Sequence, residues 1–412
     1  MGAPKVRVNQ QNGNLGRVAP NEDGISLLFV TGVAVSLKFA LDDLLGPFTS
    51  PKDAEALGID AAYDVTNSCL AHQQISDFYS EAGKGTKLYV VVVADTTTMA
   101  TMADKTNTTN GAKKYLQQLA GKIRLVGFSR VPDSGYTPSY SNQLDADITT
   151  AITNAQALVA EEFEQFRPIS VFVEGMDWQG TVSTSLDLRD TATGPNANRV
   201  SLVISQDTDV ANDTNNAQPA YACLGKALGR SAGIQVHRNI GRVKDGPVSE
   251  IINAGYSSNA AVNTLTDTEI DALNDKGYIF LKTHSGKSGF YFNDDHCACP
   301  LTDDYAFVSL GRPADKATRI ARQVYLDEIL DNVDVDPDSG KLAASTCKHF
   351  EQLIEDKINQ LMVSQGELSG VDAICDADQN ILATDEVDIE LDLVPKGTAR
   401  QIVVKQSYAT KI

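Results

Sequence analysis

A chain of 412 residues, 42% apolar and 22% charged, can bury a sizeable core and is too long for one small domain, so two or three domains are expected. Its formal net charge of −19 offers no basic surface to phosphate, which argues against nucleic acid and anionic membranes as partners. No apolar run approaches the roughly 18 residues of a membrane span, and six scattered cysteines lack the density of a disulfide scaffold, which suits a reducing cytoplasm.

The chain opens on a polar arm, residues 1–24. Its first twenty residues hold Lys5, Arg7 and Arg17 and no acid, and Val6, Arg7 and Val8 alternate like a strand rather than forming the apolar region of a signal peptide. An α/β body is expected over 25–275. It starts with an apolar run at 25–35, and residues 88–94 are apolar almost throughout, as in a strand buried on both faces. Segments 123–128, 169–173 and 199–205 repeat that pattern. Between them, residues 145–166 read as a helix with Ile148, Ile152, Ala155, Leu158, Val159 and Phe163 on one stripe, ending before Pro168. Further helices are expected at 67–82, 111–120 and 219–228, with a polar loop at 207–217. Apolar strands alternating with helices imply a mostly parallel central sheet with flanking helices, an α/β (α+β) fold.

A second domain is expected over 276–398. Segments 277–284 and 289–293 flank Ser285-Gly286-Lys287-Ser288 and read as a hairpin. Two amphipathic helices follow, 314–332 with Ile320, Val324, Ile329 and Leu330 apolar, and 341–363 with Phe350, Leu353, Ile354, Ile358 and Leu361 apolar. Then Val387, Ile389, Leu391 and Leu393 alternate with Asp388, Glu390 and Asp392, a strand with one buried and one acidic face. From Asp327 to Asp392 there are eighteen acids and three bases, whereas the last seventeen residues carry Lys396, Arg400, Lys405 and Lys411 and no acid. Ile402, Val403, Val404 and Lys405 alternate like a further strand, within a terminal segment at 399–412. Basic terminal strands beside an acidic body are suited to addition at a sheet edge, their own or a neighbour's.

Motifs that imitate chemistry fail on context. Gly229-Arg230-Ser231-Ala232-Gly233 spells a nucleophile elbow, which needs a strand before it and a helix after; here the order is reversed, and the glycines read as a helix end. Gly286-Lys287-Ser288 lacks the first glycine of a phosphate loop, since Leu281 stands there. His296, Cys297, Cys299, Cys347 and His349 do not have zinc spacing. Asp42-Asp43, Asp294-Asp295 and Asp303-Asp304 read as turns and caps, and Asp334, Asp336 and Asp338 lack the twelfth-position Glu of a calcium loop, where Ser345 sits. No catalytic residue, metal or cofactor is assigned. A hydrolase-like or metal-dependent enzyme and a monomeric binding module remain the competing readings.

The run from Gly289 through Asp304-Tyr305, Arg312 and Asp315-Lys316-Ala317 resembles the C-terminal domain of contractile tail sheath proteins of bacteriophages and phage-like injection systems. A second long helix, a break from Gly366 to Gly370, Asn380, an acidic strand and a terminal strand follow in that family's order. The opening Val6-Arg7-Val8, with Asn14-Leu15-Gly16 and Gly24-Ile25, is similar to the start of the smaller sheath-like proteins. The resemblance implies a structural subunit, not an enzyme, that forms a helical homopolymer around an inner tail tube and contracts from a metastable extended state. Its partners would be itself, the tube protein, and baseplate and tail terminator proteins, in a particle assembled in the bacterial cytoplasm. Val6, Arg7, Val8 and Ile402–Lys405 would then be strands donated between subunits, with Val387, Ile389, Leu391 and Leu393 in the acceptor. Because sheaths present a C-terminal-domain helix to the tube, Glu351, Glu355 and Asp356 are expected on a tube-facing side.

Overall fold

The computed structural model describes residues 22–408. Its centre is a six-stranded sheet of β1 (Ser26–Thr31), β2 (Leu44–Phe48), β3 (Leu88–Val93), β4 (Leu125–Phe128), β5 (Ser170–Glu174) and β6 (Val200–Val203), in the order β2-β3-β1-β4-β5-β6. Only β2 runs antiparallel; the other pairings are parallel. The continuous apolar runs find their reason here, because alternate residues enter two separate cores. Leu28, Val30, Val90, Val92 and Phe172 face one side, and Leu27, Phe29, Val91, Val93 and Val173 the other.

The first side is covered by α1 (Ala71–Ala82), which contributes Ile75 and Phe78, and the second by α2 (Ala146–Glu164), which contributes Ile148, Ile152, Ala155 and Leu158. Phe163, expected on the α2 stripe, is 47% exposed, and the inward position in that turn belongs to Glu162, which is buried and paired with Arg167 at 2.7 Å. The helix expected at 219–228 lies further on, as α3 (Leu224–Gly233), and packs against α1 on the first side. A Cβ on Gly225 would stand 2.2 Å from the Gln74 carbonyl, and one on Gly229 2.2 Å from that of Phe78. The glycines therefore let two helix backbones touch, and Gly233 ends the helix.

The expected hairpin forms as β7 (Leu281–Lys282) paired with β8 (Tyr291–Phe292). Helix α4 (Val308–Tyr325) begins six residues before the expected start, with Pro313 inside it, and stops seven short of the expected end. The compact units of the chain divide within α4, between Asp315 and Lys316. Ile329 and Leu330, expected in its apolar stripe, are 63% and 100% exposed beyond its end, where Leu330 takes a left-handed φ of 67°.

The second unit holds α5 (Ala344–Ile358), whose last turn widens into a π-turn over Asn359–Val363, and two strands, β9 (Leu368–Ile374) and β10 (Glu390–Pro395). Its core is small: Ile320, Ile354, Ile358, Met362, Leu368 and Ala373 close it with Ala317. Leu391 and Leu393 pack against that core half-buried, so the expected alternation of β10 holds.

Candidate assembly site

Of the Asp-Tyr, Arg and Asp-Lys pattern, Arg312, Asp315 and Lys316 are set in polar contacts along α4 and Tyr305 lies against a partner of Asp315, while Asp304 is exposed. The Arg199 guanidinium lies 4.0 Å from the Tyr305 ring centre and pairs with Asp315 at 3.1 Å. Arg312, 4% exposed, donates to the Ser231 carbonyl at 2.6 Å, the Ser231 hydroxyl at 3.3 Å and the Asp23 carbonyl at 3.1 Å. Lys316 pairs with Glu367 at 2.7 Å. These contacts hold successive turns in the first half of one helix, each within its own unit, rather than converging on a reaction centre.

The chemical look-alikes are likewise built into the structure. Ser231 is buried inside α3 beneath Arg312, where no substrate carbonyl could reach it. Counting parallel strands alone, the order β3-β1-β4-β5-β6 has the topological switch beside β1, where α/β sheets hold ligands outside their carboxyl ends. Here that crevice is filled by the protein itself. The Thr31 hydroxyl donates to the Val131 carbonyl at 3.1 Å, and buried Arg130 pairs with Asp147 at 3.1 Å under the Tyr136 ring. Burial pushes the Glu174 carboxyl up to about 7, against hydrogen bonds from Ser129 and from the amides of Ala222 and Arg130. His296 meets Asn274 and Arg189, and Cys297 and Cys299 are buried. Asp336 caps its own turn, accepting from the amides of Asp338 and Ser339.

The acidic strand leads to a different kind of site. β10 pairs antiparallel with β9 in an isolated two-stranded sheet, Asp372 opposite Asp392 and Ile374 opposite Glu390. Val371, Ala373, Leu391 and Leu393 turn toward the core, while Asp372, Glu390 and Asp392 are exposed. Like charges directly opposite each other weaken a sheet, so this face is short of positive partners.

β10 begins three residues later than expected. Val387 and Ile389 pack against the neighbouring apolar cluster outside the strand, because Gln379 brackets the chain there. Its side-chain amide donates to the Asp388 carbonyl at 2.8 Å and its oxygen accepts from the Asp388 amide at 2.6 Å, taking the place of ladder bonds.

Of the expected donor strands, Val6, Arg7 and Val8 lie outside the described residues. Ile402, Val403 and Val404 are described; they are in no strand and are 79%, 71% and 81% exposed. An alternating apolar segment left in solvent carries side chains with nothing of their own subunit to cover them.

The acidic side of α5 differs from the expectation. Glu351 is buried, and its carboxylate accepts from the Cys375 amide at 3.0 Å and meets Lys348. Glu355 is half-buried and accepts from the Ala373 amide at 3.0 Å. Only Asp356 is exposed, in the company of Lys348 and Lys357, so that side of α5 is nearly balanced in charge. Helical spacing alone placed these acids on the polar side and could not show that β9 passes beneath them; unpaired strand amides were the missing signal.

No described helix is long and apolar enough to cross a membrane. The family model for the N-terminal domain of DUF2586 matches residues 3–296, and that for its C-terminal domain matches residues 304–412. No curated protein sequence matches the chain. Cryo-EM structures are similar over its whole length. A chain of the anti-feeding prophage baseplate matches with a TM-score of 0.61 and 14% identity, covering 100% of both chains. A chain of the contracted helical sheath of the same prophage matches at 0.62 and 14%, covering 99% of this chain and 100% of that one. A chain of the contracted sheath complex of PVC, an extracellular contractile injection system, matches at 0.62 and 12%, covering 100% and 99%. The protein has the fold of these sheath chains, mixed α/β around a mainly parallel sheet.

Proposed function

The chain belongs to the DUF2586 family, and from that premise and its sheath-type fold we propose that it is the structural subunit of a contractile sheath. It polymerises around an inner tube by passing strands between subunits and contracts from a metastable extended array to drive the tube into a target cell. The observation that carries this reading is the pair of unmatched parts at the C-terminal end. Among the described residues no third strand pairs with the two-stranded acidic sheet, and a basic alternating segment at Ile402–Lys405 lies in solvent without a strand to join. Strand addition satisfies backbone groups at the edge, and a short polar hinge near Pro395–Thr398 allows two subunit arrangements without breaking those bonds.

Work comes from interfaces between bodies in the contracted array, and no catalysis or cofactor is required. The partners are further copies of the chain, a tube protein, and the baseplate and terminator proteins that close the ends, in a phage tail or injection particle assembled in the bacterial cytoplasm. Domains follow the division 1–24, 25–275, 276–398 and 399–412, with both outer segments acting as links. Tube contact falls to the exposed side of α5 at Asp356, since Glu351 and Glu355 are engaged by β9.

Electron microscopy of the purified protein tests the class directly, with tubes or rings expected. Deleting residues 400–412 leaves a folded subunit that no longer polymerises; normal tubes from that truncation refute the strand-exchange reading.

A further inference from the structure

The two edges of the β9–β10 sheet are not equivalent. Glu351 and Glu355 stand one helical turn apart on α5, and their carboxylates accept from the Cys375 and Ala373 amides, each at 3.0 Å. Those amides are two residues apart, so both point to one side of the strand, away from β10. They are the donors that a strand added along β9 would need, and each already has a charged acceptor. Lys348 meets the Glu351 carboxylate, and that contact with the Cys375 amide holds its carboxyl below the usual range.

β10 has no such cover among the described residues. In an antiparallel ladder, opposite residues either exchange both backbone bonds or neither. Ala373 donates to Glu355, so the Ala373–Leu391 pair is of the second kind, and the amides of Leu391 and Leu393 point outward from β10. The exposed acids Glu390 and Asp392 flank those amides, with Asp372 across the ladder.

We propose that Glu351 and Glu355 close the β9 edge, so that the sheet accepts a basic strand, residues 396–412 of another copy, on its β10 side alone. The inference rests on the strand-exchange reading and adds a direction to it. Along β9 an incoming strand would have to displace two carboxylates and leave them against its own carbonyls. Along β10 it fills vacant donors, and Lys396, Arg400 and Lys405 bring the charge that the acidic face lacks.

Residue-resolved amide exchange of the full chain, with and without a synthetic peptide of residues 396–412, tests it. The amides of Leu391 and Leu393 should slow at least about tenfold on adding peptide, while those of Ala373 and Cys375 are slow from the start and unchanged. In the Glu351→Ala, Glu355→Ala double variant, Ala373 and Cys375 should exchange at least about tenfold faster without peptide and become protected by it. Should the double variant misfold, Glu355→Ala alone should release Ala373, and Glu355→Gln, which keeps an acceptor oxygen, should not. Peptide protection appearing on the β9 side of the unmodified chain overturns the inference and leaves strand exchange standing. Unchanged Ala373 exchange in the Ala variants overturns it as well. Peptide protection at neither edge refutes strand exchange itself.

Discussion

Ile354 is the residue on which the acceptor sheet most depends. It is 1% exposed and belongs to a core with seven buried members among the described residues, which joins α5 to β9. Ile354→Ala removes the side chain beyond Cβ from a packed site, at a cost of about 2–5 kcal/mol. A unit of this size has roughly 5–15 kcal/mol of stability in total, so one substitution takes a large share of it. At about 3 kcal/mol, and 1.4 kcal/mol per factor of ten, amides that exchange by opening of this unit should speed up roughly a hundredfold. The assay is exchange at the β9 amides of Asp372 and Ile374 compared with Val90 and Val92 of β3, alongside filament formation followed by electron microscopy. The β9 amides should accelerate, those of β3 should not, and filaments should be lost. An increase at Asp372 and Ile374 of less than about threefold would refute the packing argument, and intact filaments on a destabilised sheet would refute its link to assembly.

Glu174 provides a pH test. Burial raises its carboxyl from an ordinary 4.5 to about 7, so the folded state favours the protonated form. The stability this brings is complete below the unfolded value and is lost as pH rises through the folded one. Glu174→Gln should therefore flatten the fall in urea midpoint between pH 4.5 and 7, and an unchanged slope would show that the group does not titrate as argued. On α5, Asp356→Lys should weaken attachment to a basic tube protein in co-sedimentation without changing subunit stability, and unaltered attachment removes Asp356 from the tube contact.

Much of the body was readable from residue order because burial on both faces imposes a pattern that few other structures share. The apolar runs at 88–94 and 169–173 became β3 and β5, and the stripe through Ile148, Ile152 and Leu158 became the inward side of α2. The alternation of Leu391 and Leu393 with Asp392 was equally legible, since a half-buried strand must repeat every two residues. Helix ends were less so. Pro313 reads locally as a start, yet α4 begins at Val308, where the Val308 amide reaches the Asp295 carbonyl thirteen residues earlier.

Residue order by itself determined the alternating apolar pattern of the sheets, the acidic body and the basic termini, because periodicity and charge are properties of neighbours along the chain. Only the tertiary structure decided that Gly229 serves a close helix crossing, that Ser231 is buried under Arg312, and that Glu351 and Glu355 reach β9 instead of solvent. Each of those outcomes depends on a backbone group brought from a distant part of the chain. A side chain carries no local mark of which amide or carbonyl will be waiting for it.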